Sequence, residues 1–235
     1  GPAQLLLVLS MLAVADGRLG SSGLLQGAAL TIRPYAGFSA AVTGLHQAWA
    51  ERSMRPVLSV ATGASVGLLL YLGYTRTLFG VWSPFGGYST RTYLQRNVVE
   101  GQGAANFLTD AFWALVHPAQ GLLPYAPFLL VLLPGLHRTW RVAPRWVRTA
   151  FLAGLGFLGA QLYANTWNAG SYFFGYRYPL EFLALSAPMW VLVWHHHVRG
   201  DRARTVLFAA AAAIALALQF VGAVIEPYKD GFMVT

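Results

Sequence analysis

The sequence predicts an all-α, polytopic transmembrane helical bundle, with a broken or re-entrant helix pair and a long outer loop bearing an interfacial helix. Three observations predict it. Of 235 residues, 56% are hydrophobic and only 10% charged, against about a quarter charged in soluble domains. Apolar runs near bilayer-spanning length recur along the chain. Alternating ten-residue segments, the signature of a transmembrane barrel, do not occur.

The first apolar run, Pro2 to Ala15, ends at the polar turn Asp16 to Ser22. No basic n-region precedes it, which argues against a signal peptide. The reading is of one transmembrane domain, residues 1–235, as the later part of a longer chain. The second run, Gly23 to Trp49, is interrupted by Arg33-Pro34. Proline removes a helix hydrogen bond and drives the residue before it out of the α region. The run therefore reads as two half-helices. Basic residues stand on both flanks, Arg18 before and Arg52 and Arg55 after, which favours a dip over a crossing.

Pro56 to Tyr74 is the third run. A long polar stretch from Thr75 to Gln120 follows, holding Trp82, Tyr88, Arg91 and Arg96. Within it, Phe107 to Val116 is too short to span and reads as an amphipathic interfacial helix ended by His117-Pro118. Gly121 to Leu136, Thr149 to Ala164, Pro179 to Trp194 and Thr205 to Val224 complete the apolar set.

The net charge of +8 rests on arginine, with Lys229 the sole lysine. Arginine collects on the cytoplasmic side of membrane proteins. The basic loops at 50–55, 137–148 and 195–204 fall on one side if the runs alternate. The loops at 75–120 and 167–178 then share the extracytoplasmic side. No soluble domain carries a basic face, which excludes nucleic-acid binding. Without cysteine there is neither a disulfide framework nor thiol chemistry.

The candidate site residues are charged or aromatic groups at that outer side. An arginine at membrane depth is costly unless it meets a partner, and its fork suits phosphate. Arg177 and Glu181 are four apart at the start of an apolar run, so they share a helix face. Glu181 can fix the rotamer of Arg177. Arg33 lies within an apolar run. Arg91 and Arg96 sit in the long outer loop, and Tyr88 and Trp82 frame a Gly-Gly turn that can approach a ligand. Tyr176 belongs either to an aromatic belt or to a sugar-stacking platform. His195, His196 and His197 do not share a helix face, so no metal site is assigned. The small residues within the helices read as packing contacts.

Three segments resemble the GT-C superfamily of integral-membrane glycosyltransferases. Leu24 to Pro34 is similar to a Gly-rich helix followed by Thr-x-Arg/Lys-Pro. Gly121 to Phe128 is similar to Gly-Leu-Leu-x-Tyr-x-Pro. Trp167 to Tyr178 is similar to Trp-x-Gly-Gly-x-x-x-Gly-x-Arg-Tyr, with Ala169 departing from the pattern. The resemblance implies a cell-membrane enzyme moving a sugar from a polyprenyl-phosphate donor to an extracytoplasmic glycan, lipid or protein. It implies no resident cofactor, and leaves room for a divalent cation without a visible ligand set. The family's catalytic carboxylate lies after the first helix and has no counterpart here, so the catalytic residue is expected upstream. The alternative is a non-catalytic transporter or flippase of lipid-linked sugars, which predicts inverted repeats.

Overall fold

In the computed structural model, residues 1–84, 102–118, 120–164 and 179–224 are described. Within them the protein is all-helical, with ten α-helices and no strand. In chain order these are α1 (Pro2–Ala15), α2 (Leu19–Ile32), α3 (Ala36–Glu51), α4 (Arg55–Phe79), α5 (Gln102–Val116), α6 (Leu122–Tyr125), α7 (Phe128–Val142), α8 (Arg145–Ala164), α9 (Leu180–Val193) and α10 (Arg202–Val224). Proline sets several boundaries. Pro2 and Pro56 occupy the opening positions of α1 and α4, where the missing N–H costs nothing. The predicted run Gly121 to Leu136 divides into α6 and α7 at Pro127, the N-cap of α7.

The Arg33-Pro34 break is a sharp reversal. Arg33 is held extended at φ −136° and ψ 100°, as a residue before proline must be. The chain then returns as α3, antiparallel to α2. Gln26 Nε2 donates to Ser22 Oγ at 3.0 Å and reaches across the hairpin to Thr43 Oγ1 at 3.4 Å. Both ends of the hairpin thus lie at one end of the bundle, and Arg33 caps its tip at the other.

Helices α2 and α4 pack through glycine. A methyl built on Gly27 would lie 2.7 Å from the carbonyl oxygen of Ala64, and one on Gly23, Gly63 or Gly67 would lie nearer still to facing backbone. The spacings Gly23 to Gly27 and Gly63 to Gly67 are the small-xxx-small pattern that lets helix backbones meet. Outside this stripe α4 carries few buried residues. Leu58, Leu69, Leu70 and Leu78 are exposed.

Helix α8 is the centre. Ala150, Ala153 and Phe157 pack into a core with α1, α2 and the hairpin tip, including Leu7, Met11, Ala29 and Tyr35. Val147, Phe151, Leu158 and Leu162 pack into a second core with α7 and α9. Two faces of α8 are thus covered by protein, while Leu155 and Tyr163 remain exposed. Hydrogen bonds tie it to α3. Ser39 Oγ donates to the carbonyl of Ala153 at 2.8 Å, and Gln47 Nε2 donates to Thr149 Oγ1 at 2.8 Å. Thr149 gives its own proton to the Arg145 carbonyl, so His46 Nδ1, also 2.8 Å from Thr149 Oγ1, acts as a donor.

Two helices, α4 and α10, are long and apolar enough to cross a membrane by length and composition. Both are exposed along most of their length. Soluble monomers rarely present apolar faces of this extent.

Past the apolar run of α9 the helix widens into a π-turn, Trp194–Val198. Such turns carry an extra residue per turn and recur near functional sites. Arg204 closes it, donating to the His197 carbonyl at 2.9 Å while lying 3.1 Å from His197 Nδ1. Opposite, Gly135 of α7 leaves room for the His197 ring. Partial burial, with the Arg204 and Arg138 cations adding to it, holds the His197 imidazole below its ordinary value, while Asp201 pulls the other way. The unfolded chain takes up this proton first, at about pH 6.5. Stability from this contact is therefore present above that pH and is lost as pH falls toward the folded value. Melting temperature should fall more steeply between pH 7.5 and 5.5 in the wild-type protein than in His197→Gln, and equal slopes would refute the assignment.

Candidate functional site

One candidate site residue from the long polar stretch, Trp82, is described. It stands exposed just beyond Gly80, the C-cap of α4, without ring stacking among the described residues. Tyr88, Arg91, Arg96, Tyr176 and Arg177 lie outside the described residues, as does the loop Trp167 to Tyr178 on which one family segment rests. The helix expected over Phe107 to Val116 is observed as α5, longer at its start, with Leu108 and Phe112 exposed and Ala114 buried. It packs on α8 and α6.

The structure brings Arg33 and Glu181 together. Arg33 comes from the hairpin tip, held out by Pro34. Glu181 comes from the first turn of α9, which starts at the N-cap Pro179. Arg33 Nε lies 3.6 Å from Glu181 Oε1. Glu181 is only 3% exposed. Two features make a buried carboxylate tolerable there: the guanidinium, and the partial positive charge at a helix N-terminus.

Sequence spacing assigns Glu181 to Arg177, which lies outside the described residues; among the described ones it is Arg33, from the other half of the chain, that meets the carboxylate. The physical reason is the hairpin. An arginine forced into extended backbone at a helix reversal points outward from both helices and can reach a third. The signal available in the sequence was that Arg33 and Glu181 are isolated, opposite charges in separate apolar runs, each needing a counterion.

Arg33 approaches the carboxylate through Nε. The Arg33 side chain keeps 31% of its surface exposed, and its two η nitrogens make no hydrogen bond among the described residues. A planar fork paired through one nitrogen and still partly exposed can receive a second anion bidentately. Tyr35, two residues on, packs edge-on against Phe157 of α8 with ring centroids 6.2 Å apart, and so anchors the tip beside the pair.

At the opposite end of the bundle, Arg145 pairs with Glu51 at 3.2 Å, and Arg204 with Asp201 at 3.2 Å. His195 and His137 lie in hydrogen-bonding reach of Arg199 and Arg141. These histidines are partners of arginine, and no cluster of metal-ligating side chains occurs among the described residues.

No family of known proteins, no curated protein and no solved structure matches the chain.

Proposed function

We propose that the protein is a multi-pass membrane glycosyltransferase, its arginine-rich end cytoplasmic and its Arg33 end extracytoplasmic. In this reading it moves a sugar from a polyprenyl-phosphate donor to an external acceptor. The observation that carries it is the Arg33 guanidinium, paired through Nε with buried Glu181 and still partly exposed.

Length arithmetic supports the placement. Helix α2 has 14 residues, about 21 Å at 1.5 Å per residue. A hydrocarbon core of about 30 Å is deeper than that. A hairpin rooted at the cytoplasmic surface therefore stops short, and sets Arg33 several ångströms beneath the outer surface. At that depth a lipid-linked phosphate is within reach while the sugar projects outward.

In the transfer step the acceptor hydroxyl oxygen bonds to the anomeric carbon, and the bond from that carbon to the donor phosphate oxygen breaks. The acceptor proton goes to a general base, to which no residue of this chain is assigned. The electron pair leaves on the phosphate, where an arginine stabilises the charge that develops. Arg33 takes that role here. Arg177, Arg91 and Arg96 are proposed to share the anion, and Tyr88, Tyr176 and Trp82 to contact the sugar.

The test is transfer of labelled sugar by the full-length protein in its membranes. Arg33→Gln should lower kcat about 100-fold, the scale of losing one charge-stabilising donor, with Arg33→Lys retaining part. Wild-type transfer by a folded Arg33→Gln protein would remove the assignment. Movement of intact lipid-linked sugar across the membrane, without transfer, would replace the enzyme by a transporter.

A further inference from the structure

We propose that the arginine-rich end holds one anionic phospholipid, its phosphate at Arg202 and one acyl chain along α10. The inference rests on the membrane placement above but is independent of sugar transfer.

A shallow, open pocket of about 640 Å³ lies against one face of α10, lined by Arg202, Ala203, Val206, Leu207 and Ala210. These positions are one and four apart, so they form a single face. The two alanines leave a trough beside the larger side chains of Val206 and Leu207. Everything lining it except Arg202 is apolar. From Arg202 to Ala210 the helix rises about 12 Å, most of the roughly 15 Å depth of one leaflet. The pocket thus has a lipid's own layout, a cation at the surface and a hydrocarbon trough below.

The charges favour an anionic headgroup. The neighbouring acid, Asp201, is taken by Arg204 at 3.2 Å. Arg202 is exposed and makes no ion pair or hydrogen bond among the described residues. Arg199 lies just before it, and the Arg138 cation is close enough to act on His197. A phosphate bonded bidentately by Arg202 would sit in a field of excess positive charge, which a zwitterionic headgroup uses less well than an anionic one. Arginines at such a surface each add attraction for acidic lipid.

The experiment is native mass spectrometry of the full-length protein in detergent, offered equimolar phosphatidylglycerol and phosphatidylcholine with matched chains. The wild type should retain one phosphatidylglycerol per chain in preference to phosphatidylcholine. Arg202→Gln should weaken that preference about fivefold, the scale of one surface arginine. Arg202→Lys should keep most of it, and Ala210→Phe should reduce retention of both lipids by filling the trough. Equal retention of the two lipids by the wild type would overturn the proposal, as would retention of neither or a preference unchanged in Arg202→Gln. Failure of the protein to partition into vesicles would instead overturn the membrane reading itself.

Discussion

Leucine in place of Gly67 should separate α4 from α2 and collapse the half of the bundle built on α1 to α4. A Cβ at Gly67 meets the backbone of Gly27, and Gly27 in turn faces the backbone at Ala64. A clashing side chain can rotate away, but a clashing peptide group moves only if its helix moves. Overpacking in a core costs about 1–3 kcal/mol where neighbours yield; here the cost should reach or exceed the upper figure, because none can. Thermal unfolding in detergent, followed by far-UV circular dichroism, should show a large drop in melting temperature. Gly73 supplies the control on the same helix. A Cβ there meets nothing within 4 Å, and Gly73→Ala should leave the protein unchanged or stabilise it by up to about 1 kcal/mol through helix propensity. Equal effects at the two positions would refute the glycine contact.

Removal of Arg33 should be the next most damaging change. It takes the Arg33 cation from the buried Glu181, and breaking a buried pair from one side costs about 3–5 kcal/mol. Partial exposure of Arg33 lets water screen the pair, so about 2 kcal/mol is expected for Arg33→Met. Replacing both residues, Arg33→Met with Glu181→Leu, should recover part of the loss, since the buried carboxylate is then removed with the arginine that faces it. A double-mutant cycle should give a coupling of about 1 kcal/mol or more. Additive single effects would show that the two side chains do not act as a pair.

Much of the helix arrangement was legible in the residues. Proline marks the break at 34, and the Arg33-Pro34 reversal follows from backbone sterics alone, whereas the break at Pro127 lies within an apolar run that reads as continuous. The small residues at spacing four in Gly23, Gly27, Gly63 and Gly67 were readable as packing sites. Their partners were not, since a packing stripe does not name the helix it faces. The pairing of Glu181 illustrates the same limit. Spacing along a helix points to a local partner, whereas the approach of Arg33 is a tertiary contact that depends on how α9 docks against the hairpin tip. The central position of α8 was equally hidden, because the composition of an apolar run does not say how many helices will cover it.

The two-sided burial of α8 has a consequence for biosynthesis. Ser39 and Gln47 find their partners on a helix more than a hundred positions further along the chain. At about 5–20 residues per second, a nascent hairpin waits some seconds before Thr149 and Ala153 emerge. Over that interval its hydroxyl and amide groups lack their final neighbours. Premature chain termination before residue 150 should therefore yield a species cleared by quality control, whereas the same hairpin becomes protected as soon as α8 has been made.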